Sequence, residues 1–143
     1  MDSRMTSAFK SPAVGICLLI LLQGGCVTTK SETLPLIECG VSGPATASVG
    51  KSVTLSVLVA YTSGCETLRT LNAAEDDSRK VVEISGEKLR PSLACTGSIV
   101  TNRATVSFVP QSSGTYQIDL ANYQPGYCEA GAGPASVSIP VSD

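Results

Sequence analysis

The sequence predicts an all-β fold, a single β-sandwich of about seven short strands. Three observations carry that expectation. Ser, Thr, Gly, Val and Ala dominate a chain of 143 residues with few aromatics, a mix that suits strands and turns better than helices. After about Leu36, apolar and polar residues alternate with period two in several stretches, as in strands with one buried face. Turn residues recur between those stretches at the spacing of a two-sheet fold.

The chain opens on a segment of another kind. Arg4 and Lys10 make a basic start, and residues 13–22 are uncharged and mostly apolar. That run is too short to cross a bilayer as a helix, which needs roughly 20 residues. A basic start, a short apolar stretch and small residues form a secretory signal, with Met5 as an alternative start to Met1.

The stretch Leu22-Gln23-Gly24-Gly25-Cys26 resembles a bacterial lipobox. The resemblance implies cleavage before Cys26, a diacylglycerol on its sulfur and an acylated amine. The usual Leu three places before the cysteine is here Gln23, with Leu22 one step earlier. The alternative is plain secretion with Cys26 free. On the lipidated reading, residues 1–25 are a signal peptide, 26–36 a lipidated N-terminus and tether, and 37–143 the folded domain. Such a protein is held at a membrane by acyl chains rather than spanning it. In enterobacteria an Asp after the cysteine retains a lipoprotein at the inner membrane. Val27 stands there, which favours the outer membrane, if the organism has one, as the place in the cell envelope. Residues 27–35 can reach at most about 30 Å.

The strands follow in order. Weak strand patterns lie at 46–49, 66–73 and 80–85. Between the first two, after a turn at Gly50-Lys51, Val53, Leu55, Val57, Val59 and Tyr61 fall on one face and Ser52, Thr54 and Ser56 on the other. Ala104, Val106 and Phe108 point inward in the next clear strand, which Pro110 ends. Tyr116, Ile118 and Leu120 point inward in another, and Ala135, Val137, Ile139 and Val141 in the last. Pro140 cannot donate a ladder bond and marks an edge or a strand end. Turns are expected at Ser42-Gly43-Pro44, Ser63-Gly64, Glu75-Asp76-Asp77, Ser112-Ser113-Gly114 and Gly131-Ala132-Gly133-Pro134.

"SVGKSVTLSV", followed some sixty residues later by "SSGTYQI", resembles an immunoglobulin-like domain. The first stretch corresponds to the entry of strand B, the second to the start of strand F. The resemblance implies a tyrosine corner at Tyr116, its hydroxyl bonded to a nearby backbone group. Val57 and Ile118 stand where antibody domains carry their inter-sheet cysteines, and the chain has no Trp. Aliphatic packing must therefore pin the sheets.

Cys17 is lost with the signal, and Cys39, Cys65, Cys95 and Cys128 remain beside Cys26. Four cysteines in an exported domain read as two disulfides with three connectivities. Their wide spacings disfavour a zinc site, which needs clustered pairs. The "GC … ACT" pattern resembles small envelope lipoproteins with immunoglobulin-like domains and implies Cys65–Cys95. Cys39–Cys128 is the favoured companion, tying the chain start to the final hairpin.

With no His, imidazole-based nucleophilic catalysis and imidazole metal ligation are excluded. The only Met residues, Met1 and Met5, precede the apolar run. The net charge of -2 has no basic cluster, so no nucleic-acid partner is expected. No cofactor and no metal are expected either. Glu75-Asp76-Asp77 reads as a solvated turn rather than a Ca2+ site. Lys88, Arg90 and Pro91 read as a solvated basic spot. In "NYQPGYC", Tyr123 and Tyr127 form either a contact loop or a turn whose rings cover the core edge. The functional expectation is a non-enzymatic envelope lipoprotein with a binding or assembly role and an envelope protein as partner. The alternatives are an inhibitor or accessory subunit of a secreted enzyme, and a structural spacer in an envelope complex.

Overall fold

The computed structural model describes residues 30–92, 94–128 and 131–143. The expected signal peptide and Cys26 lie outside the described residues. Within them the chain forms nine strands: β1 (Ser31–Pro35), β2 (Ile37–Ser42), β3 (Ala47–Ser48), β4 (Val53–Tyr61), β5 (Thr67–Asp76), β6 (Val81–Pro91), β7 (Val100–Phe108), β8 (Gly114–Leu120) and β9 (Ser136–Ser142), with one 3-10 turn at Pro125–Tyr127.

Two sheets face each other. The smaller is β2-β4-β7, antiparallel throughout. In the larger, β6 pairs with β5 along one edge, and with β8 and then β1 along the other. The sheet continues from β8 to β9 and β3. The β6–β8 pair is parallel. A parallel pair needs a crossover, and β7, in the opposite sheet, supplies it.

The seven expected strands correspond to β3 through β9; β1 and β2 correct the count. Ser31–Pro35, expected as tether, pairs with β6. At Leu36 the chain changes sheets. The Leu36 N–H donates to the Gly86 carbonyl at 2.9 Å, and its side chain is fully buried. A side chain opposite it is disfavoured, because a Cβ on Gly86 would lie 2.9 Å from the Thr70 carbonyl oxygen as well as 2.6 Å from Leu36 Cδ2.

The alternation in β4 buries Val53, Leu55, Val57, Val59 and Tyr61 against Val82, Ile84, Tyr116, Ile118 and Ile139 of the larger sheet. Each such aliphatic burial contributes about 1.5–3 kcal/mol. The Phe108 and Tyr116 rings close one side of this core, 5.8 Å apart. Pro140 points outward on β9, at a position β3 does not reach.

The two ends differ. At one, β1 and β7 begin, β4 and β6 end, and Ser92 N–H donates to the Lys30 carbonyl at 2.8 Å. This is the end at which the described chain starts. The other carries the β5–β6 and β7–β8 turns and the C-terminal Asp143.

Candidate functional site

The structure pairs Cys39 with Cys128, Cα atoms 5.7 Å apart across a separation of 89 residues. It pairs Cys65 with Cys95, Cα atoms 5.8 Å apart across 30 residues. Both spacings suit disulfides. The second pair is nested inside the first.

The expected contact loop is built on β2. Glu38 N–H donates to the Asn122 carbonyl at 3.1 Å, and the Glu38 carbonyl accepts from Gln124 N–H at 2.9 Å. Its carboxylate Oε2 accepts from Asn122 N–H at 2.9 Å, while Oε1 has no hydrogen-bond partner. Burial, opposed by the Asn122 amide and reinforced by the Glu83 charge, pushes the Glu38 carboxyl above its ordinary value. Fully buried, this carboxyl organises the loop rather than meeting a solute. Asn122 Nδ2 adds a bond to the Leu36 carbonyl at 2.7 Å.

The loop returns along β2. Gly133 N–H donates to the Cys39 carbonyl at 3.0 Å, and Val41 N–H to that of Pro134 at 3.1 Å. Here a side chain is forbidden: a Cβ on Gly40 would fall 2.4 Å from Gly133 Cα. Tyr123 is half-buried, and its hydroxyl donates to the Gly133 carbonyl at 3.1 Å. Tyr127 keeps 44% of its surface exposed. Of the two expected rings, Tyr123 is committed to the loop and Tyr127 is presented outward.

Near the chain start, Glu66 lies fully buried and ion-paired. Its Oε2 accepts from Lys88 Nζ at 2.8 Å and from Thr62 N–H at 2.7 Å, and its Oε1 from Arg90 Nε at 2.8 Å. Arg90 Nη2 also donates to Thr62 Oγ1 at 2.9 Å. Burial alone would raise the carboxyl, but the Lys88, Thr62 and Arg90 donors outweigh it and hold Glu66 down at about 2. The Tyr61 hydroxyl is pushed up by burial and by the Glu66 charge. The basic spot expected in solvent is therefore corrected: the Lys88 side chain is 4% exposed and serves this cluster. Strand alternation places Lys88 on the inward face with Val82 and Ile84.

At the far end Tyr116 is fully buried, but its partner is not backbone. Its hydroxyl donates to the Asp77 carboxylate. The β5–β6 turn brings Asp77 over the ring, and Ser112 Oγ donates to it at 2.7 Å. Lys80 Nζ lies 3.3 Å from Asp77 and 5.2 Å from the Tyr116 ring centroid. The Tyr116 and Ser112 hydroxyls, with Lys80, hold Asp77 at about 2. Glu75 is pushed up by burial and then by the Asp77 charge. Asp76 accepts from Ser78 Oγ at 2.6 Å and from Arg79 N–H at 3.2 Å. The turn expected at Glu75-Asp76-Asp77 thus begins at Asp77; the Asp76 and Asp77 carboxylates stay open to solvent, as expected, while also accepting these hydrogen bonds. Among the described residues no three acidic, Cys or His side chains gather as a metal site.

Sequence reasoning passed over Glu38 and Glu66. The signal for Glu38 was its place inside the apolar run Leu36-Ile37-Glu38-Cys39. Together the residues define an all-β protein of two packed sheets, cross-linked twice. The chain matches no family model, no curated protein and no solved structure.

Proposed function

We propose that the protein is a non-enzymatic lipoprotein of the cell envelope, held at a membrane through Cys26, with a binding or assembly role. The observation that carries this reading is the course of the chain. Gly24-Gly25-Cys26 follows a short apolar run, and the sandwich begins at Ser31, five residues after the cysteine. Two cysteine pairs at disulfide spacing suit an oxidising, exported setting. The absence of any His from the sequence removes the commonest general base. An immunoglobulin-like identity draws support from β2-β4-β7, from the β8–β9 hairpin and from β3 running parallel to the last strand. The parallel β6–β8 pair departs from that family's antiparallel sheets.

Palmitate labelling and membrane fractionation test the anchor. The wild type should label and pellet with membranes, and Cys26→Ser should do neither. An unlabelled wild type recovered in the soluble fraction would make this an ordinary secreted protein.

A further inference from the structure

We infer that the end of the sandwich at which β1 begins is a membrane-contact surface, seated on an anionic phospholipid bilayer. The inference deepens the proposed function and rests on acylation of Cys26.

Reach is the first argument. With Ser31–Pro35 paired into the sheet, only four residue steps separate Cys26 from Lys30. Four residues span at most about 14 Å, so an acylated Cys26 holds this end, and no other, against the headgroups. The leash is much shorter than the sequence suggested, because the expected tether folds into β1.

The second argument is the surface itself. Leu68, Ile99 and Val100, at 39%, 45% and 43% exposure, are three of the five large exposed apolar residues among those described. All three belong to this end. Leu68 pairs with the buried Lys88 and Val100 with the buried Tyr61, so both side chains lie on the inner faces of their sheets, at the open mouth of the sandwich. The Cys65–Cys95 pair joins the two loops beside them. Exposed apolar residues gathered at one place mark a contact surface.

Charge is the third. This end holds Lys30, Arg69, Lys88 and Arg90 against Glu32, Glu66 and Glu87, so its balance is positive; Arg69, paired with Glu87, and Arg90, paired with Glu66, still keep 49% and 43% of their side chains exposed. Lys30, Glu32, Arg90 and Pro91 line a shallow recess of about 370 Å3 beside the start of β1. The opposite end carries Glu75, Asp76, Asp77 and Asp143 against Lys51, Arg79 and Lys80, so its balance is negative. A negative lipid surface attracts cations within about a Debye length and favours this orientation over the reverse. Acyl anchoring strengthened by a second contact is a general device for stable membrane attachment.

The chain has no Trp, so a single introduced indole reports its own surroundings. Ile99→Trp, or Ser98→Trp on the same exposed loop, is compared with Ser113→Trp at the far end. The full-length acylated proteins are reconstituted into phosphatidylethanolamine–phosphatidylglycerol vesicles containing lipids with brominated acyl chains, and mass spectrometry confirms the acyl groups. The indole at 99 or 98 should shift to the blue and be quenched several-fold more than that at 113. Acylated protein whose probes at 98, 99 and 113 are equally solvent-exposed would overturn the membrane-contact surface, leave the anchor intact and point to a protein partner for this end. Protein without acyl groups would overturn the anchor, and the inference with it. Equal quenching in phosphatidylcholine alone would overturn the anionic part.

Discussion

Replacing Glu66 by Gln keeps the shape of the side chain and removes its charge. Lys88, 4% exposed, then loses its only ionic partner among the described residues, whereas Arg90, 43% exposed, can turn to water. Removing one member of a buried pair costs about 3–5 kcal/mol, because the other charge stays buried and unpaired. A second route gives a similar size. Glu66 falls from an ordinary 4.5 to about 2, and at about 1.4 kcal/mol per unit that is roughly 3 kcal/mol. A domain of this length has about 5–15 kcal/mol in all. With a urea slope of about 1.5 kcal/mol/M, the midpoint of Glu66→Gln should fall by about 2–3 M. The sign with pH follows from the lowered carboxyl. The stabilisation is fully present above the ordinary 4.5 and is lost as pH falls towards 2, so the gap between wild type and variant closes in acid. Glu66→Gln/Lys88→Met should lose less than Glu66→Gln alone, since the stranded ammonium is gone. Urea melts followed by far-ultraviolet circular dichroism at several pH values read all of this. A midpoint within about 0.5 M of wild type, or a gap unchanged between neutral and acid pH, would refute the buried pair as a source of stability.

Two further outcomes are expected. Tyr116→Phe should lose about 1.5–3 kcal/mol, because the hydroxyl's acceptor is the Asp77 carboxylate, and Tyr116→Ala about 3–5 kcal/mol. A cycle with Asp77→Asn should show coupling, and simple additivity would dismiss the contact. Under native conditions a thiol reductant should open Cys65–Cys95 before Cys39–Cys128, because Cys65 is exposed and Cys39 fully buried. Peptide mapping after alkylation gives the order, and the reverse order would show that burial does not protect the longer link. Removing that link should cost more, about 4.5 against about 3.6 kcal/mol in the chain-entropy model.

The sequence disclosed those strands whose two faces meet different surroundings. In β4 one face meets the core and the other water, so Val53 to Tyr61 alternate legibly. In β2 Leu36 to Val41 are covered on both sides, and the run shows no period. β1 is polar and short, and only its pairing with β6 makes it a strand. Lys88 occupied an inward position in its own alternation, but its charge argued for solvent. Its partner stands 22 residues away, and only the β5–β6 register brings the two together. Tyr116 was legible as a core residue. Its partner was not, since Asp77 arrives from a turn 39 residues earlier. Glu38 meets Asn122 across 84 residues, a distance no local pattern encodes.

The Cys39–Cys128 link also has a mechanical consequence. Tension applied between the two ends of the chain enters at Cys39, crosses to Cys128 and leaves, without passing through the strands between them. The link withholds 89 residues of chain, about 300 Å of contour length, from any extension. A pull can strip β1 from β6 and β9 from β8, but β4, β5, β6 and β7 lie inside the closed loop and carry none of the load through their own backbone. Under oxidising conditions the molecule would lengthen only by its tails, and a reductant would convert it into one that unravels along its whole length.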